Sequence, residues 1–578
     1  MAMSKRMGAV HVATTRRHYK GKEYESTLLR RSYRKDGKVR NETVGNLSHL
    51  PPHVIDAIRA MLAGKVLVDL DQEFEIERSL PHGHVAAVLG VLRALDVERL
   101  IGRERCRERD LVVAMIVQRV IGPGSKLSAT RRFGVSTLAQ ELDLGEVKEA
   151  ELLCAMDWLL ERQERIEKTL AHRHLSRDGF VLYDLSSSYV EGRCCPLAKL
   201  GYSRDGRKGT QQVNYGLICS PEGRPVAVHA FDGSTTDSKT LPDAVQSVTE
   251  RFAIKDVVLV GDRGMITQAH AQTLKENGVG FISALKSAQI RTLVNAGDIQ
   301  LSLFDESNLA EISSEKFDGE RLIVCRNPAV AAERVRKRQE LLAATEAELQ
   351  KVKAMVDGPR GSLRKADAGE IGTRAGKTIN KYKVAKHFEL HIKNGAFSFE
   401  RKQAQIEEEA ALDGLYVIRT TCPPGQLSAQ AAVRAYKQLK MAERAFRTMK
   451  DTLEIRPIHH HLEPRVRAHI FLCMLAYYVT FELAQRLTPI LFTDQAPLAP
   501  SDPVAPARRS KAAKAKASSA ATEDGHPASN LPDLLTELAT IARNEIRIGE
   551  AENTFTRLTK PTPLQARALE LLDVKLAA

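Results

Sequence analysis

No CxxC pair occurs among the eight cysteines. Neither a zinc ribbon nor a disulfide framework is therefore expected, and the adjacent Cys194 and Cys195 read as ordinary reduced thiols. No GxxxxGK[ST] loop occurs either, which disfavours a nucleotide phosphotransferase. The opening stretch MAMSKRMGAVHVATTRRHYKGK lacks the apolar core of a signal peptide. The longest strongly apolar run, Ile470 to Val479, is too short to span a bilayer. A cytoplasmic protein of bacterial style with no membrane partner is expected. No internal repeat is evident, and the single tryptophan, Trp158, sits in an apolar helical pattern that belongs in a core.

What the chain has in excess is positive charge, with 86 Lys+Arg against 72 Asp+Glu and a formal charge of +14. That surplus favours a polyanionic partner, nucleic acid before an acidic membrane surface. At 578 residues the chain is too long for one core and divides into two to four domains.

Residues 1–82 carry a hairpin signal, YESTLLRRSYRKDGKVRNETVGNL, turning at Asp36-Gly37. From 83 to 176 apolar residues recur at three- and four-residue intervals, a helical region broken at Gly122-Pro123-Gly124-Ser125. Lys126, Arg131 and Arg132 follow the break, and a purely structural bundle is one reading of this region. Between 177 and 286 the order is three strands, a helix, a strand, a helix and a strand. Phe180 to Asp184 opens it, Val257 to Val260 is the fourth strand, and Thr267 and Gly278 cap the second helix. By analogy of topology this is a ribonuclease-H-like mixed sheet, an α/β core.

Residues 287–413 read as a β-rich and helical insertion. Asp318-Gly319 marks one hairpin and Asn394-Gly395 another. A charged helix over 329–356 repeats Val335, Leu342, Leu349 and Val356 every seventh residue, a seam for one partner helix inside the insertion or on a second subunit. Residues 414–494 return to the core with the strand GLYVIRTT and a helix from Ser428 to about Leu453. The Pro-, Ala- and Lys-rich stretch 495–530 is expected to be a disordered linker, and 531–578 a short helical tail.

Asp184 at the end of the first strand and Asp262 at the end of the fourth should project at the same sheet edge. Two close carboxylates are costly unless cations neutralise them, and magnesium accepts such oxygen-rich sites. In AYKQLKMAERAFRTMK, Glu443 lies beside the apolar stripe. Tyr436 is seven residues before it and Lys450 seven after, on one side of the helix. A chance acid on a solvated flank is the alternative reading of Glu443.

These residues resemble the DDE transposases of bacterial insertion sequences, in particular the insertion-sequence-four superfamily with its Tyr-Arg-Glu-Lys signature. The signature is spaced as Tyr436, Leu439, Glu443 and Lys450 are here, with Leu439 where the family has arginine. YDLSSSYVEG, GYSRDGRKGTQQVNYGLI, FDGSTTDSKTL, VLVGDRGM and IRPIHHHLEPRVRAHIFLCMLAYYV look like family blocks. The resemblance implies a transposase whose Asp184, Asp262 and Glu443 hold two divalent ions, Mg²⁺ or Mn²⁺. It implies double-stranded DNA as partner, as terminal inverted repeats and as target, and a homodimer in the synaptic complex. It also implies that the element's terminal sequence is recognised outside the sheet, with the helical region 83–176 and its Lys126, Arg131 and Arg132 as first candidate. Tyr436 and Lys450 would be phosphate contacts. Arg263, beside Asp262, either touches DNA or pairs with an acid; Arg204, Arg207 and Lys208 form a basic loop. His459, His460 and His461 are ill placed to share one ion because consecutive side chains diverge, and with Arg456, Arg465 and Arg467 they suit DNA-backbone contacts. Two rivals stand beside this reading: a nuclease of the same fold that cuts but never joins, and a catalytically idle DNA-binding regulator derived from a transposase.

Overall fold

The computed structural model describes residues 9–35, 37–65, 74–177, 179–192, 194–304, 307–359, 361–494, 497, 500–548 and 554–576. Two compact units divide the chain, residues 1–80 with 542–559, and residues 81–541 with 560–577.

The smaller unit contains two three-stranded sheets. In the first, β1 (Val10–Tyr19) pairs with β2 (Lys22–Lys35), and β2 pairs with β3 (Lys38–Asn46). The β1–β2 turn, Lys20-Gly21, has both φ values positive, as a two-residue hairpin requires. The expected second hairpin is present with Lys35 opposite Lys38; Asp36 itself lies outside the described residues. A helix, Pro52–Leu62, follows. The second sheet joins β4 (Phe74–Pro81) to a hairpin from far along the chain, β15 (Ala542–Ile548) and β16 (Thr554–Leu558), in the order β16-β15-β4. The tail expected to be helical thus supplies two strands between its helices Leu531–Leu538 and Pro563–Leu572. Arg547 ties β15 to Glu75 and Glu77 of β4.

The larger unit is organised around an eight-stranded mixed sheet in the order β10-β11-β14-β9-β8-β5-β6-β7. Its strands are β5 (Phe180–Tyr189), β6 (Gln212–Cys219), β7 (Pro225–Asp232), β8 (Val258–Gly261), β9 (Gly280–Ala284), β10 (Leu309–Ile312), β11 (Arg321–Arg326) and β14 (Leu415–Thr420). β5, β8 and β9 run parallel, and β6 and β7 complete an antiparallel meander on one flank. The helices Asp237–Gln246 and Gln268–Glu276 fall where the sequence placed them, the second capped by the Thr267 hydroxyl and ended at Gly278 with φ +68°.

Two helices fill the interior beside this sheet. Arg107–Ile121 is buried from Asp110 to Val120. Glu463–Arg486 is long and apolar enough to cross a membrane by length and composition, yet 89% of its most apolar window is buried inside the fold. Its Ile470–Val479 run makes up the centre of the main hydrophobic core.

Two expectations are corrected here, and one alternative is settled. β10 and β11 lie inside the span 287–413 yet extend the main sheet through β11–β14 pairing, so the projecting part begins only at Asn327. There the helix Pro328–Asp357 buries Leu342, Leu349 and Val356 against the helix Ala368–Ile379 and the hairpin β12 (Phe388–Lys393) and β13 (Ala396–Arg401). The seam closes within the insertion and leaves Val335 at 39% exposure. The stretch 495–530, expected to be a disordered linker, carries the helix Lys511–Ser519 and packs on the core; residues 495, 496, 498 and 499 lie outside the described residues. Val504 is fully buried, and three consecutive carbonyls, of Pro503, Val504 and Ala505, accept from the Lys437 ammonium.

Two desolvated histidines, the buried His84 and the half-buried His229, set an acid limit. Burial pushes His84 and His229 down to about 4, with His82 adding to the first and Arg251 and Arg467 to the second. In the unfolded chain both titrate near 6.5. The unfolded state therefore binds protons that the folded state refuses, and stability is lost as pH falls from about 6.5 towards 4. Melting measured from pH 7.5 down to 5 should show Tm falling, with a shallower fall for His229→Gln. An unchanged slope in that variant would contradict the assignment.

Candidate active site

The parallel pairing of β5 with β8 runs from Phe180 opposite Val258 to Tyr183 opposite Gly261. Asp184 and Asp262 are the next residue on each strand, so the register delivers both carboxylates to one edge. The expectation that Asp184 ends its strand is corrected: β5 continues to Tyr189 along β6, and it is β8 that stops. Asp262 begins a turn that needs Gly264, whose φ is +78° and where a Cβ would stand 2.0 Å from Lys286 Cε. The Asp262 carbonyl accepts from the Ser283 hydroxyl at 3.0 Å and from the Met265 N–H at 3.1 Å, which fixes the turn.

Glu443 arrives from the helix Leu439–Arg447. It joins Asp184, Asp262, Arg263, Tyr436 and Leu439 on the wall of a cavity of about 770 Å³. Asp184 senses the other two acids. Burial pushes the Asp184 carboxyl up to about 7, helped by Asp262 and Glu443 and opposed by the Leu185 N–H and by Arg204. Asp262 and Glu443 are exposed. The Tyr436 hydroxyl donates to Asp262 Oδ1 at 3.4 Å, and burial with the neighbouring carboxylate keeps the phenol protonated.

Among the described residues no three His, Cys, Asp or Glu side chains form a group that would hold an ion on its own. The donor set nonetheless suits a hard divalent cation: all-oxygen ligands, and one carboxyl whose charged form is disfavoured by burial and by two like charges. Asp184, Asp262 and Glu443 supply the carboxylate oxygens that such an ion would take from this cavity.

Part of the cavity wall comes from the insertion. Arg334, Lys337, Arg338 and Leu341 of the helix Pro328–Asp357 line it at helical spacing. Arg338 is bound by the Asp413 carboxylate at 2.6 Å, while Arg334 is exposed. Sequence reasoning missed this basic face, although its i, i+3, i+4 spacing was there to be read. It also missed Lys440, an exposed cation beside Leu439 on the cavity wall.

The remaining sequence-derived residues lie elsewhere. Lys450 does not line this cavity; its ammonium is 2.8 Å from Asp205 Oδ1, with side-chain exposures of 9% and 2%. The helix passes into a π-turn at Thr448–Thr452, so a seven-residue step no longer returns to the same side. Arg456 pairs with the same Asp205. Arg204 pairs with Asp237, Arg207 lies 3.8 Å over the Tyr189 ring, and Lys208 is exposed on the loop. His460 faces a separate cavity. Trp158 is half-buried against the core, with the Arg162 guanidinium 3.8 Å over its ring.

Comparison with known proteins follows the same lines. The family described as Transposase DDE domain matches residues 177–479, more than half of the chain. The family described as IS1634 family transposase, N-terminal domain, matches residues 12–71. No curated protein matches. Among solved structures, the piggyBac transposase synaptic complex with hairpin DNA is 8% identical with a TM-score of 0.33, covering 79% of this chain and 76% of that one. The Mos1 transposase paired-end complex with left transposon end is 12% identical with a TM-score of 0.13, covering 31% and 60%. At these scores neither likeness carries weight here. The span of the first match, which takes in Asp184, Asp262 and Glu443, and the second match at the N-terminus together place the chain in the DDE transposase family of bacterial insertion sequences, enzymes that cleave and transfer DNA strands.

Proposed function

We propose that this transposase uses Asp184, Asp262 and Glu443 as its catalytic triad, in a ribonuclease-H-like core, to cut at the ends of an insertion sequence and join the freed ends to target DNA. The observation that carries the reading is the β5–β8 register, which leaves Asp184 and Asp262 side by side on the cavity that Glu443 also lines. The strand order β9-β8-β5-β6-β7 supports the core assignment. DDE transposases generally use divalent metal ions. The three carboxylates would hold two of them, Mg²⁺ or Mn²⁺. Such ions, when bound, lower the barrier to in-line phosphodiester displacement by neutralising charge on the attacking and leaving oxygens.

The chain's own groups bind and orient. Tyr436 holds the Asp262 carboxylate from one side and presents its hydroxyl at the cavity wall. Arg263 and Lys440 are the exposed cations next to the acids, suited to the phosphates flanking the cut. Lys440 adjoins Leu439 and supplies the charge that the signature arginine would have brought. The basic face of the insertion helix gives part of the cavity wall for the DNA backbone. Water attacks first to free a 3′-hydroxyl, and that hydroxyl then attacks the target strand at the same acids. Terminal inverted repeats are the specific DNA partner, a homodimer pairs two ends, and the nucleoid is where such a substrate is met.

The joining step separates this reading from a nuclease of the same fold. Supplied with pre-cut ends carrying a 3′-hydroxyl and with Mg²⁺, the protein should produce joined target molecules. Cleavage of intact ends with no joining of pre-cut ones would identify a nuclease instead.

A further inference from the structure

The catalytic reading leaves a second cavity without a role. It measures about 330 Å³ and lies between the Gly122–Ser125 turn and the loop that precedes the helix Glu463–Arg486. Its walls carry no Phe, Tyr or Trp, so it is not built to stack a base. It is built from cations. Lys126 is 5% exposed and Arg119 6%. Arg119 donates to the carbonyls of Gly124, Leu453 and Glu454, which are neutral acceptors and leave its charge uncompensated. Lys126 has no hydrogen-bond or ion-pair partner among the described residues. Glu149 and Glu454 stand at the rim, both exposed, and neither pairs with Lys126 or Arg119.

A buried cation without an anion is costly, because desolvation is not repaid. The neighbouring groups register that cost. Burial and Arg119 push the Lys126 ammonium down to about 7. Burial, with Lys126, Arg465 and Arg119 close by, pushes His460 down to about 3 and holds its ring neutral. His469, 5.3 Å from His460 between ring centres, spends Nε2 on the Ile455 carbonyl and leaves Nδ1 without a partner. The missing component is an anion small enough for the space and open to the surface on the side of Arg465 and the exposed His459 and His461.

We infer that this cavity seats a backbone phosphate of the element-end DNA, with Lys126 as its buried point charge and Arg465 at its mouth. The inference rests on the transposase reading for the identity of the polyanion. It gives the region around Lys126 a contact that fixes where the DNA sits, independent of base sequence.

The test uses the full-length protein and a labelled duplex carrying the element's end, with affinity measured against salt. Lys126→Met keeps the chain length and removes the charge. It should bind about tenfold more weakly, with the slope of log affinity against log salt reduced by about one. Its Tm should be no lower than that of the wild type, since an unpaired buried charge has gone. Arg465→Gln, at the mouth, should shift affinity and slope in the same direction and guards against a folding defect in the first variant. Unchanged affinity and slope in both variants would overturn the assignment. So would inorganic phosphate at matched ionic strength that raises wild-type Tm through Lys126 while DNA binding ignores Lys126→Met, because that pattern belongs to a free-phosphate site. A wild type that binds no end DNA sinks the transposase reading itself. A wild type that binds and cuts beside a Lys126→Met that does both equally well sinks only the phosphate pocket.

Discussion

Asp262→Ala should bind element-end DNA at least as well as the wild type and nick it about a thousandfold more slowly, or less, in Mg²⁺. Binding is retained because the carboxylate repels phosphates and contributes nothing to holding them. Cleavage is lost because metal-assisted charge neutralisation supplies several kcal/mol at such sites, and each 1.36 kcal/mol is a factor of about ten in rate. Asp184→Asn should behave in the same way. It carries a second signature, since removing an ionisable group that burial and two like charges disfavour should leave the metal-free protein no less stable. Loss of binding in step with loss of cleavage would mean that the two aspartates support the fold instead of the chemistry.

The largest expected effect on stability lies behind the same turn. Arg419 on β14 and Glu320 beside β11 form a two-pronged ion pair in which each side chain is 3% exposed. Arg419 also donates to the Ile266 carbonyl at 3.3 Å and to Gln268 Oε1 at 3.2 Å, and its guanidinium lies 5.3 Å from the rings of Phe281 and Phe317. One side chain therefore braces the sheet against the segment that runs out of Asp262. Glu320→Ala leaves that guanidinium buried and uncompensated, and should cost about 3–5 kcal/mol. Glu320→Gln keeps one acceptor and should cost less. Chemical denaturation of the two variants checks this. Equal and small losses would show that water reaches Arg419 and screens it.

The part of the molecule that was legible in the sequence is the part whose pattern is local. The run from Phe180 to Ala284 alternates strand and helix with turn residues at each boundary, so the element order and the meeting of Asp184 with Asp262 follow from apolar runs and caps. What was not legible depends on single distant contacts. β10 and β11 read as an insertion because nothing in LAEI or RLIVCR says which sheet they join; the partner strand β14 is about ninety residues further on. The stretch around Lys511–Ser519 has the composition of a linker, yet Lys437 and Lys516 gather its carbonyls and those at the end of the preceding helix, and composition does not register such fixed points. β15 and β16 form a short hairpin inside what reads as a helical tail, and the sheet edge they join, β4, lies far back in the chain. Lys450 falls outside the lining of the cavity for a different reason: a π-turn changes the residue count per turn without any change in residue type.

Glu443 is the member of the proposed triad that comes from outside the parallel strands. Cleavage of labelled end DNA in Mg²⁺ by wild type and by Glu443→Ala, with binding measured on the same duplex, tests it most directly. Nicking at the element ends by the wild type, with binding but no nicking by the variant, is the predicted result. A Glu443→Ala protein that cuts as well as the wild type would contradict the triad and remove the helix Leu439–Arg447 from the active site.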